Sequence, residues 1–84
     1  MIVEFYGRQG CHLCDEVREE LLGMREVVEF ELREIDIRSD PALFARYRYD
    51  VPVVLVDGME WARHRIVDPA GFEERLERQA AERR

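Results

Sequence analysis

Residues 2–14 read Ile-Val-Glu-Phe-Tyr-Gly-Arg-Gln-Gly-Cys-His-Leu-Cys, and the order of features along them decides the fold. The apolar run Ile2-Val3-Glu4-Phe5-Tyr6 has the length and composition of a strand. Cys11-His12-Leu13-Cys14 follows, and an amphipathic helical pattern starts there. Cys11 and Cys14 are the only cysteines in the chain. A Cys-X-X-Cys that opens a helix after a first strand points to a dithiol redox site. Residues three apart share a helix face, so the two sulfurs can meet and close a disulfide. The unpaired N–H groups and partial positive charge of a helix N-terminus both favour a thiolate.

Working outward, the remaining elements alternate. Residues 11–28 predict a helix with Cys14, Val17, Leu21, Met24 and Val28 on one face. Residues 30–37 predict a second strand whose alternation slips. Phe30 and Leu32 share one parity, Ile35 and Ile37 the other, and a bulge or a late strand start would each account for this. Asp40-Pro41 signals a helix start, and Leu43, Phe44 and Tyr47 give that short helix an apolar side. Residues 53–57 form the most apolar run, expected as a central strand covered on both faces. Asp57-Gly58 predicts a tight hairpin to residues 59–65. Asp68-Pro69 opens a last helix with Phe72, Leu76 and Ala80 inward and a charged tail beyond Gln79 expected to fray.

The expected order is strand, helix, strand, helix, strand, strand, helix. That predicts one α/β domain over residues 1–84, a mixed four-stranded sheet with helices on both faces. The first crossover should be parallel and right-handed, and the last hairpin antiparallel.

Composition narrows the function. Net charge is −6, which argues against nucleic-acid binding. All 13 basic residues are arginine, as expected of codon bias in a GC-rich genome. No signal peptide is visible and no stretch is long enough to span a membrane. Two cysteines in such a chain suit a reducing cytoplasm, where a catalytic or metal-binding pair is favoured over a permanent staple.

Tyr6-Gly7-Arg8-Gln9-Gly10-Cys11-His12-Leu13-Cys14, Asp50-Val51-Pro52-Val53 and Asp57-Gly58 together resemble the thioredoxin fold in its short, glutaredoxin-like form. The resemblance covers nearly the whole chain. It is nearest to a group of short glutaredoxin-like proteins with Gly-Cys-His-Leu-Cys at the site, whose substrates are not settled. It implies a cis peptide at Pro52, packed beside the cysteines, and a Val51 backbone offering N–H and C=O to an extended substrate. Arg8 matches the basic position of glutaredoxins, suited to a thiolate or a substrate carboxylate. Two features depart from the pattern. His12-Leu13 stands where typical glutaredoxins have Pro-Tyr. Arg63-His64-Arg65-Ile66-Val67-Asp68 lacks the Gly-Gly pair on which the backbone of glutathione docks.

Roles follow from position. Cys11, at the helix start, should be reachable and act as nucleophile; Cys14, on the apolar face, should be buried and act as the resolving thiol. His12, when protonated, would favour the Cys11 thiolate. Tyr6 either flanks the site or belongs to the core. Arg46, Arg48, Arg63 and Arg65 could rim it for an anionic ligand.

The expected function is therefore a thiol–disulfide oxidoreductase, acting as a monomer on a disulfide-containing protein or small-thiol substrate. It needs no prosthetic group or metal. Its reducing equivalents come from a reductase donor: a protein reductase, or glutathione. The alternatives are a metal or iron–sulfur carrier in which two chains share four thiolates, and an adaptor without turnover.

Overall fold

The computed structural model describes residues 1–83. The chain order is β1 (Ile2–Gly7), α1 (His12–Met24), β2 (Glu31–Asp36), a 3-10 turn (Ile37–Ser39), α2 (Pro41–Tyr47), β3 (Val53–Val56), β4 (Met59–Arg63) and α3 (Pro69–Glu82). The strands form one sheet in the order β2-β1-β3-β4. β1 runs parallel to β2 and antiparallel to β3, and β3 and β4 form the antiparallel hairpin. This is the thioredoxin-like architecture expected from the sequence.

Alternation along β1 assigns the helices to faces. Val3, Phe5 and Gly7 are buried, while Ile2, Glu4 and Tyr6 are half-buried. Gly7 lies against Cys14 of α1. Tyr6 packs its ring on Tyr47 of α2, centroids 5.1 Å apart. Successive strand residues point to opposite faces, so α1 and α2 cover opposite sides of the sheet. Helix α3 meets β4 through an edge-to-face contact between Phe72 and Trp61, 5.6 Å apart. Val3, Val17, Leu21, Val53, Val54 and Leu76 are fully enclosed between these layers.

Several element ends differ from the sequence expectation, each for a local reason. Helix α1 stops at Met24 rather than 28. The chain turns there, and the N–H of Val28 bonds the carbonyl of Met24 at 2.9 Å, so Val28 stays buried outside the helix. The alternation slip in β2 is a late start and not a bulge. Pairing with β1 is unbroken from Ile2↔Glu31 to Gly7↔Asp36, so Phe30 precedes the strand and Ile37 lies in the 3-10 turn. Leu32 stands beside Val3 and Ile35 beside Tyr6, so each serves a different face. The irregularity is in the hairpin instead, between Val54 and Leu55. β4 ends at Arg63 because His64 takes φ +70° and gives its N–H to the carbonyl of Pro52 at 2.7 Å.

The two Asp-Pro helix starts form as read. Asp40 accepts from the N–H of Ala42 at 2.8 Å, and Asp68 from that of Gly71 at 3.1 Å. Asp57 and Gly58 take φ +48° and +86°, the left-handed pair a tight hairpin requires. Phe44 is the exception on α2; it is partly exposed rather than buried.

Asp57 explains why the tail beyond Gln79 stays helical. Its Oδ1 accepts the backbone N–H of Ile2 at 2.9 Å. Its Oδ2 accepts from Gln79 Nε2 at 3.2 Å and from Arg83 at 2.6 Å. One carboxylate thus fastens the start of β1, the hairpin and the end of α3. The Ile2 N–H, with Gln79 and Arg83, holds this carboxyl below the usual carboxylate range. A depressed folded pKa adds stability above the unfolded value of about 3.9 and loses it as pH falls through the lower folded value. Asp57→Ala should cost about 2–3 kcal/mol at neutral pH, and Asp57→Asn less, because Asn keeps an acceptor and tolerates positive φ. Urea unfolding should show the gap between wild type and Asp57→Asn closing as pH drops below the unfolded value of about 3.9.

Candidate active site

The cysteines sit where α1 begins, at the end of β1. Cys11 is the N-cap of α1, with extended backbone, and its carbonyl accepts the first helical N–H, from Asp15 at 3.1 Å. Its Sγ accepts the N–H of Cys14 at 3.2 Å. A sulfur thus takes the capping role usually played by a Ser or Asp oxygen. Cys11 and Cys14 are joined as a disulfide. When the pair is reduced, the same N–H and the dipole of α1 act on the Cys11 sulfur. Cys11 is 9 % exposed and Cys14 3 %, so Cys11 is the more open only in relative terms.

Gly7 is a site residue the sequence reading passed over. A Cβ there would lie 3.3 Å from Cys14 Sγ and 3.2 Å from Phe5 Cζ. The absence of a side chain is what lets Cys14 sit on the strand end. The available signal was a glycine closing the first strand just before the motif.

Strand register brings in the second element. Tyr6 pairs with Val53 in antiparallel β1–β3, so Gly7 faces Pro52 one step further on. Pro52 therefore lies across the strand from the residue that touches Cys14. Val51 and Pro52 are buried, and the bond between them is cis, as the resemblance implied. The Val51 backbone departs from expectation. Its N–H is taken by the carbonyl of Tyr47 at 3.1 Å, so of the two backbone groups the resemblance implied only the C=O remains.

The other nominated residues separate. Arg8 is exposed and lines a cleft of about 460 Å³ that reaches Cys14 between α1 and the ends of β1 and β2. The Arg18–Glu34 pair, 2.5 Å from Nε to Oε1, links α1 to β2 along this cleft. His12 is exposed to solvent: its side chain is 89 % exposed and its Nε2 lies 3.5 Å from Glu16 Oε1. Tyr6 is on the α2 face, opposite Cys14, and its hydroxyl donates to Glu4 at 3.1 Å. Burial, then the bond to Glu4, raises its phenol pKa. It is a packing residue and not a flank of the site. Arg63 is held by Asp50 at 3.1 Å and Glu60 at 2.7 Å, so it is not open to a ligand. Arg65 is exposed. Among the described residues no group of three or more His, Cys, Asp or Glu side chains gathers to hold a metal ion.

His64 occupies the stretch where glutaredoxins carry their Gly-Gly pair. Its φ of +70° is a conformation glycine adopts freely and other residues rarely do. The turn there places a side chain where the resemblance would have bare backbone.

Comparisons with known proteins agree with this geometry. The family model described as Glutaredoxin-like domain (DUF836) matches residues 2–81. Uncharacterised proteins of Mycobacterium bovis and Mycobacterium tuberculosis are 35% identical over 63 residues, covering 69% of this chain. That match covers 65% of those relatives, so the chain spans just under two thirds of the length of the curated relatives it matches. A Nitrosomonas europaea protein solved by NMR superposes with a TM-score of 0.71 at 30% identity, over 88% of each chain. Thioredoxin 1 of Thermosipho africanus has the same fold, with a TM-score of 0.69 at 20% identity over 99% of this chain and 98% of its own. No helix among the described residues is long and apolar enough to cross a membrane.

The packing at Gly7 is testable. Gly7→Ala should push its methyl against Cys14 and the enclosed Phe5 ring. We expect a stability loss of about 1–2 kcal/mol in thermal unfolding. Alkylation of Cys14 in the reduced protein should become faster as its seat is forced open.

Proposed function

We propose that this chain, which belongs to the glutaredoxin-like domain family (DUF836), is a thiol–disulfide oxidoreductase that reduces disulfides with the Cys11–Cys14 pair. The observation that carries this is the Cys14 N–H on Cys11 Sγ, 3.2 Å apart at the α1 N-terminus. A helix start favours a thiolate at Cys11, and the second sulfur lies within bonding reach of the first.

In the reaction, the Cys11 thiolate attacks one sulfur of the substrate disulfide. A Cys11–substrate disulfide forms, and the other substrate sulfur leaves as thiolate. Cys14 then loses its proton and attacks Cys11 Sγ. The Cys11–Cys14 disulfide closes and the second substrate sulfur departs. Two electrons have passed to the substrate, and an external dithiol or two monothiols restore the pair. Among the described residues no buried acid or base stands beside Cys14 to take its proton. The cleft lined by Cys14, Asp15 and Asp36 gives that proton a way out.

For the electron donor we favour a protein dithiol over glutathione. The support is the loss of the Gly-Gly pair and the presence of His64 and Arg65 in its stretch. We read the protein as a cytoplasmic monomer.

Variants separate the two sulfurs. Cys14→Ser should accumulate a mixed disulfide with a peptide substrate, seen as added mass, because attack survives and resolution does not. Cys11→Ser should abolish reaction altogether. Turnover driven by a protein dithiol with its reductase should outpace turnover driven by glutathione with glutathione reductase. Trapping through Cys14 instead would reverse the assigned roles.

A further inference from the structure

The segment that leads into Pro52 carries a local basic and aromatic patch. The chain carries 19 acidic and 13 basic residues, yet residues 42–49 contain two arginines and no acid. Both arginines lie within cation–π distance of aromatic rings. Arg46 lies 5.2 Å from the Tyr47 ring centre, and Arg48 lies 4.6 Å from that of Tyr49 and 5.9 Å from that of Phe44. Other arginines, such as Arg18, Arg38 and Arg63, sit in ion pairs. Among the described residues neither Arg46 nor Arg48 has a carboxylate within ion-pair distance. Glu60, whose carboxyl feels Arg46, is already held by Nε and Nη2 of Arg63.

This placement bears on what these arginines offer. A guanidinium held near a ring face by cation–π attraction keeps N–H donors available for a carboxylate. Tyr49 is 78 % exposed and Phe44 37 %, so an apolar surface accompanies the charge. The segment also ends beside the redox pair. The carbonyl of Tyr47 holds the Val51 N–H, and Pro52 faces Gly7, which touches Cys14. The Val51 C=O is a backbone acceptor suited to an extended chain lying next to it. A nucleic acid would meet an overall charge of −6, whereas a short acidic peptide can meet the local patch alone.

We propose that Arg46 and Arg48, held beside their aromatic rings, receive an acidic stretch of polypeptide next to the disulfide of a partner protein. This rests on the oxidoreductase function proposed above and names the class of substrate for that site.

The test uses disulfide-linked peptides whose cysteine is flanked by Asp and Glu, by Ser and Gly, or by Arg. Wild type should reduce the acidic peptide with a kcat/KM roughly tenfold above the neutral one at low salt, and the advantage should shrink at high salt. Arg46→Ala with Arg48→Ala should lose that advantage through KM while keeping the rate on the neutral peptide. Arg46→Glu with Arg48→Glu should turn the preference toward the Arg-flanked peptide. Arg25→Ala, at the far end of α1, should change nothing. Equal wild-type rates on acidic and neutral peptides, without salt dependence, would overturn the proposal. So would equal losses on both peptides in double variants that melt at the wild-type temperature, or inhibition by an oligonucleotide as strong as by a non-reducible acidic peptide. Because the salt dependence is read on wild type, a misfolded variant leaves the test intact. No turnover of any peptide would instead refute the oxidoreductase function.

Discussion

The first turn of α1 has to sit directly on the end of β1, and the rest of the site depends on that contact. Gly7 makes it possible by leaving the space that Cys14 Sγ occupies. From this seat the geometry propagates in two directions. Three residues back along the helix, Cys11 caps the N-terminus and receives the N–H of Cys14. One strand across, Pro52 faces the same glycine because β1 and β3 pair in antiparallel register. A strand end, a helix start and a proline turn, distant in sequence, therefore meet at one glycine.

The sheet is organised to hold that end of β1 still. β1 is an inner strand, bonded to β2 on one side and β3 on the other. Its two faces are covered by different helices, through Phe5 and Gly7 toward α1 and through Tyr6 toward Tyr47 of α2. At the opposite end of the strand, the Asp57 carboxylate fixes Ile2 and reaches Gln79 and Arg83 on α3. The strand that leads to the cysteine pair is thus anchored at one end by charge and hydrogen bonds and at the other by close packing. The edge strand β2 carries Glu31, Arg33 and Glu34, charges of the kind that disfavour edge-to-edge strand pairing.

Much of this was legible in the sequence. The buried stripe of α1, the two Asp-Pro helix starts, the Asp-Gly hairpin and the order of elements along the chain all follow from local pattern, and the structure has them. What was not legible depends on contacts between distant residues. The tail beyond Gln79 remains helical because of Asp57, 22 residues away in sequence. The Val51 N–H is consumed by Tyr47, which no periodicity announces. The direction of a side chain at the surface is equally silent. His12 lies between the cysteines in sequence, but as an exposed helix residue it turns to Glu16, four positions on. Tyr6 was undecided between site and core because the face of a strand residue is fixed only once its neighbours in space are known. The parity slip in β2 left a bulge and a late start equally open and proves to be a late start, while the hairpin irregularity, where Val54 and Leu55 pair out of step, had no signal in the sequence.

The central claim is that Cys11 and Cys14 form one reversible two-electron couple at the start of α1. An equilibrium redox titration tests it most directly. The protein is equilibrated in dithiol–disulfide buffers of graded potential, its free thiols are alkylated, and the intact mass is read. A working couple gives a single transition in which two alkyl groups are lost together, with the slope of a two-electron process. Stepwise loss of one group at a time, or thiols that stay fully reduced or fully oxidised across the whole range, would contradict it.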